Sequence, residues 1–135
     1  MMSEEVVIHT GSQPGVFDIS SSVARFTPSL GDGLVSVFVP HATAGVAIIE
    51  TGAGSDDDLI TALDGILPAD PKRWRHVHGS PGHGRDHVLP AFVSPSVTIP
   101  VIGGRPALGT WQSVVLVDTN VDNQTRKVRL SFIPG

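Results

Sequence analysis

The sequence predicts a strand-rich α/β fold in one domain, from three observations: frequent turn residues, with 15 Gly and 11 Pro in 135 residues; several short β-branched runs; and one clear amphipathic helix. A chain of this length buries a core without disulfides.

Glu5 to His9 reads as an opening strand, and the run from Gly11 to Gly15 is turn chemistry. Val16 to Leu30 carries Ile19, Val23 and Phe26 at helical spacing, with Asp18 or Ser20 as the cap and the Gly31 to Gly33 segment as the stop. Leu34 to Pro40 and Gly45 to Glu50 read as two strands separated by a corner from His41 to Ala44. Ser55 to Leu67 is the clearest helix, with Ser55 as N-cap, Asp58 three residues on, and Leu59, Ile60, Leu63, Ile66 and Leu67 on one face. Lys72 to His78 is expected as a strand, Gly79 to Gly84 as a loop, and Asp86 to Val93 as a short helix with Pro90 in its first turn. Ser96 to Ile102, Trp111 to Val117 and Arg126 to Ile133 complete the strands. In the last, Val128, Leu130 and Phe132 face inward and Lys127, Arg129 and Ser131 outward.

Composition removes several function classes. A formal charge of −4 with 16% charged residues argues against binding nucleic acid through a basic surface. Without cysteine there is no disulfide, thiolate nucleophile or zinc–sulfur ligation, so a metal would need nitrogen and oxygen donors. An acidic start in place of a basic, apolar leader, and no apolar run of spanning length, point to a cytoplasmic protein that does not enter membranes. Dinucleotide-binding, phosphate-loop, serine-elbow and zincin motifs do not occur.

Chemistry is therefore expected from the histidines His9, His41, His76, His78, His83 and His87. His76 and His78, two apart, share a strand face, whereas His83 and His87, four apart, share a helix face. Imidazoles on rigid elements, with carboxylates nearby, suit zinc, manganese or iron. Taken singly, His9, His78 and His83 read as polar surface, and Trp111 as core. Asp56 and Asp57 are accounted for equally well by a helix N-terminus, where acids are stabilised by the dipole.

The His41-Ala42-Thr43-Ala44 corner running to Glu50, Asp58 at the helix start, Trp74-Arg75-His76, Asp86-His87-Val88, Leu108-Gly109-Thr110-Trp111-Gln112 and the Arg126 strand occur in the order that resembles the YjbQ-like family over nearly the whole chain. That resemblance implies an α+β domain with a strongly curved mixed sheet and two to three helices, a homotrimer, and weak secondary thiamine-phosphate synthase activity. It further implies His41, His76 and His87 as metal ligands, zinc first and manganese or iron as alternatives. Glu50, Asp58 and His41 take the catalytic roles, and Thr43, Thr110, Gln112 and Arg126 the substrate contacts. The sequence departs from the family pattern at Ile49 and His83, where asparagine is usual, at Pro90, and at Asp118, a shortened acid. The expected function is a metal-dependent enzyme acting on a small phosphorylated or pyrophosphorylated heterocycle. The alternative is a non-catalytic trimeric protein that binds a metal or metabolite.

Overall fold

A computed structural model describes residues 1–27, 29 and 31–135. Its strands are β1 (Met2–His9), β2 (Gly15–Asp18), β3 (Gly33–Phe38), β4 (Ala44–Ile49), β5 (Ser96–Ile102), β6 (Arg105–Pro106), β7 (Ser113–Asp118) and β8 (Thr125–Pro134). The helices are α1 (Ser20–Phe26), α2 (Ser55–Ile66) and α3 (Leu89–Val93), with a 3-10 helix at His83–His87.

Two sheets curl around one core, a five-stranded sheet in the order β1-β8-β3-β5-β6 and a three-stranded sheet in the order β2-β7-β4. The fold mixes helix and strand but not strand direction, since every pairing among the described residues is antiparallel. Between the sheets lie Val35, Val37, Val128, Leu130 and Phe132 from one side and Val46, Val114 and Leu116 from the other, with Val23 and Phe26 of α1 closing an end. The far side of the three-stranded sheet packs Val115 and Val117 against Leu63 and Leu67 of the α2 region and Leu89 of α3. β7 is thus buried on both faces, which is why it reads as an unbroken apolar run and not as an alternation.

Several expectations are refined by packing. The strands flanking His41 separate into different sheets, β3 into the larger and β4 into the smaller, so the corner carries the chain from one sheet to the other. The segment expected as one helix from Val16 is β2 followed by α1, and Asp18 Oδ1 accepts the Ser20 N–H at 2.9 Å. Its expected end at Leu30 lies outside the described residues. At α2 the cap is Gly54, at φ 103°, and not Ser55; the Asp58 N–H donates to Gly54 O at 2.9 Å, with Asp56, Asp57 and Asp58 in the first turn. Lys72 to His78 forms no strand. Asp70 accepts the Lys72 N–H through Oδ1 and the Arg73 N–H through its carbonyl, and this turn folds the segment onto the end of α2, where Trp74 Nε1 donates to Pro68 O at 2.8 Å. Trp111 is not core. It is 73% exposed, held outside β7 by a turn in which the Gln112 side chain accepts the Gly109 N–H.

Candidate metal centre

The 3-10 helix at His83–His87 builds the site. Three residues per turn align positions i and i+3, and His83 Nδ1 accordingly lies 3.0 Å from Asp86 Oδ2. His87 follows one residue later and brings its Nε2 to 3.0 Å from His83 Nε2. The third ring, His76, comes from the loop after Trp74, with its centroid 4.1 Å from that of His87 and 5.3 Å from that of His83. Gly84 permits this approach, because a β-carbon there would collide with the Trp74 side chain and the His76 carbonyl. His76, His83 and His87 each offer a ring nitrogen, and these atoms lie within 4.8 Å of one another.

The surroundings fix how the rings present their lone pairs. Asp86 is 3% exposed and its other oxygen accepts from Thr119 Oγ1 at 2.6 Å. The buried Asp86 carboxylate accepts from His83 Nδ1 and so leaves the Nε2 lone pair directed at His87, the carboxylate–histidine arrangement found behind metal-bound imidazoles. Asp122 Oδ2 lies 3.6 Å from His83 Nδ1 and accepts the Ser80 N–H, a bond that holds its carboxyl below the usual range. Desolvation, then the neighbouring His76 and His83, lower the pKa of His87, so it stays neutral and ready to ligate at physiological pH. Tetrahedral zinc with Zn–N bonds of ~2.0–2.1 Å requires nitrogens about 3.3 Å apart; His83 Nε2 and His87 Nε2 are 3.0 Å apart, and all three ring nitrogens lie within 4.8 Å of one another. Beside His83 opens a cleft of about 160 Å³, bordered by Ser80, Arg85, Asp86 and Thr119.

His41 stands apart from this group. Its Nε2 accepts the Lys127 backbone N–H at 2.9 Å, which occupies one lone pair and leaves the proton on Nδ1. Burial, then the nearby Arg126 charge, lower its pKa. Arg126, expected at a substrate, is 2% exposed. Its Nε donates to Asp118 Oδ2 at 2.6 Å, and its Nη2 to Asp118 Oδ1 at 3.0 Å and Thr43 Oγ1 at 2.9 Å. Thr43 also accepts from Asn120 Nδ2. Arg126 and Thr43 thus hold a buried network that ties the ends of β4, β7 and β8 together. Thr119, between Asp118 and Asn120, faces the other way to Asp86, so the segment after β7 links network and histidine cluster.

The remaining expected residues lie elsewhere. Ala44 pairs with Asp118 at one end of β4 and Ile49 with Ser113 at the other. Glu50, Thr110 and Gln112 therefore sit at the end of the three-stranded sheet away from the histidines, separated by a six-residue strand of about 17 Å. Asp58, in the first turn of α2, shares their end, while Asp64 near the other end of that helix reaches Arg85. Within one chain His76 and His87 meet as expected, but Glu50, Asp58, Thr110 and Gln112 do not join them. His83, Asp86, Thr119 and Asp122 were not singled out as site residues; the four-residue spacing of His83 and His87 was the available signal.

These features define a class, a two-sheet α+β domain with a carboxylate-backed histidine cluster at one end. The chain belongs to the UPF0047 protein YjbQ-like family, whose model matches residues 4–135. UPF0047 protein Mb2586c of Mycobacterium bovis is 64% identical over 120 residues, covering 89% of this chain and 92% of its own. UPF0047 protein YugU of Bacillus subtilis is 30% identical over 117 residues, covering 84% and 86%. Among solved structures, a hypothetical protein of Aeropyrum pernix K1 superposes with a TM-score of 0.89 at 27% identity over 100% of both chains. An uncharacterized conserved protein of Clostridium acetobutylicum superposes with a TM-score of 0.86 at 26% identity, covering 96% of this chain and 99% of its own.

Proposed function

We propose that this protein is a metal-dependent enzyme in which His76, His83 and His87 hold one divalent ion, zinc before manganese or iron, and that it acts on a small phosphorylated or pyrophosphorylated heterocycle. The observation that carries this reading is the convergence of ring nitrogens within 4.8 Å, with His83 oriented by buried Asp86. Three imidazoles leave a coordination position open, as catalytic rather than structural zinc sites do. A divalent ion, when bound by these three rings, would supply charge neutralisation for a phosphate group or Lewis acidity toward a water. The chain's own residues supply the rest: Asp86 holds the His83 proton at Nδ1, the Asp122 carboxylate adds negative charge 3.6 Å from the same nitrogen, and the adjoining cleft admits a small group beside the cluster. The phosphate character of the substrate rests on the family resemblance, which also underlies our placing of the protein as a cytoplasmic homotrimer. No helix among the described residues is long and apolar enough to cross a membrane.

The activity is tested by incubating zinc-loaded protein with a pyrimidine pyrophosphate and a thiazole phosphate and measuring released pyrophosphate. Release that requires both substrates and falls at least about a hundredfold in His83→Ala is expected for a transferase whose reaction needs the ion. Release from the pyrophosphate compound alone would mean hydrolysis at the same centre. Tight binding of these compounds with no turnover would overturn the enzyme reading in favour of a binding protein.

A further inference from the structure

Three rings leave one position of a tetrahedral ion without a donor, and the acids nearest to it are placed to do something else. Asp86 and Asp122 both face His83 Nδ1, at 3.0 and 3.6 Å, whereas the nitrogen turned toward His87 is Nε2. Asp86 is further committed to Thr119, and Asp122 to the Ser80 N–H. Glu50 and Asp58 stand at the other end of the sheet, and His41 is bound to the Lys127 N–H. A fourth imidazole lies much closer. The His78 ring is 5.3 Å from that of His76, centroid to centroid, in an edge-on arrangement at 78°. His76 is in turn 5.3 Å from His83 and 4.1 Å from His87, so it neighbours all three other rings.

The backbone at His78 is fixed against the cluster while its side chain is free. Gly79 has φ 78°, and a β-carbon there would stand 2.7 Å from Asp122 Oδ2 and 3.1 Å from Cδ2 of His83, the ring carbon bonded to Nε2. Asp122 also accepts the Ser80 N–H at 3.2 Å, which pins the next residue. The chain just after His78 therefore packs on the edge of His83 beside its ligating nitrogen. His78 itself is exposed, and among the described residues its ring takes part in no hydrogen bond or ion pair. Its nitrogens stand outside the group of three, so joining them takes a change of side-chain rotamer and no movement of the chain.

We propose that His78 is an exchangeable fourth metal ligand, which closes the resting site and withdraws when a phosphate group of the substrate binds. This rests on the metal reading above and deepens it. His83 is oriented by Asp86 and the His76 segment is seated over Gly84, but nothing holds the His78 ring, so it is the ligand that yields. One closing equilibrium then acts on two affinities. It strengthens zinc binding and weakens phosphate binding by the same factor, because both report the fraction of protein in which His78 is on the ion. A residue that merely shaped the loop would not link the two in opposite directions.

The probes are zinc and inorganic phosphate on the full chain, comparing wild type with His78→Ala, which removes an exposed side chain and leaves Gly79 in place. X-ray absorption at the zinc edge is expected to count four imidazoles in wild type, three in His78→Ala, and three in wild type saturated with phosphate. Competition titration gives a zinc affinity about tenfold weaker in His78→Ala, and calorimetry gives a phosphate affinity of the zinc-loaded variant stronger by the same factor. Three imidazoles and equal zinc affinity in both proteins overturn the inference and leave the three-histidine site standing. Weaker zinc binding without tighter phosphate binding also overturns it, since His78 would then be a fixed ligand or a support for the loop. A wild type that takes up no stoichiometric zinc overturns the metal reading and this inference together.

Discussion

Arg126 occupies the first inward position of the row that continues through Val128, Leu130 and Phe132, and it is the charge whose loss the fold tolerates least. Arg126→Ala leaves Asp118, 1% exposed, without its partner in the interior. The expected destabilisation is about 3–5 kcal/mol, read from urea unfolding; a loss below about 1 kcal/mol would show that Asp118 finds another partner or takes up a proton. His41 gives a pH signature. Its folded pKa lies below the unfolded 6.5, so as the pH falls below 6.5 the unfolded chain takes up the proton first. Stability from this group is full above that point and declines as the pH falls toward the folded value. His41→Gln should flatten part of the decline between pH 7 and 5 in urea titrations, and an unchanged slope would contradict the assignment. Single residues were the least legible level of the sequence. Alternation places Arg126 inward, yet nothing local names Asp118 and Thr43 as its partners, because those contacts depend on how three strands end side by side.

At the scale of elements, legibility follows periodicity. β8, β5 and α2 were readable because each has one buried face and one wet face, so alternation or helical spacing marks it. The segment carrying His76 was not, because its shape comes from the turn at Asp70, the Trp74 hydrogen bond and the space above Gly84, which pattern does not encode. That close seat makes Gly84 a positioning residue for the site. Gly84→Ala should push the Trp74 to His76 segment outward and weaken zinc binding by about tenfold or more, while the sheets keep their far-ultraviolet circular dichroism, since the atoms nearest the added β-carbon belong to Trp74 and His76. Calorimetric zinc titration checks this, and wild-type affinity in the variant would mean that His76 is not held through that contact.

At the scale of the molecule, the curved sheets explain both what the sequence revealed of the site and what it concealed. The order of motifs along the chain pointed to His76 and His87, which do converge. It also grouped His41 with them and with Glu50, residues that the antiparallel course of β4 carries to opposite ends of a sheet. Distance in sequence says little about which end of a strand faces which cluster until strand order is known. The hidden member, His83, enters because the 3-10 helix aligns it with Asp86 and turns it onto His87. The most direct test is elemental analysis of untagged protein purified without chelator, comparing wild type with His76→Ala, His83→Ala, His87→Ala and His41→Ala. About one zinc, manganese or iron per chain in wild type and in His41→Ala, lost in the other three with folding retained, is the predicted result. No stoichiometric metal after reconstitution, or metal kept in His83→Ala and lost in His41→Ala, would contradict it.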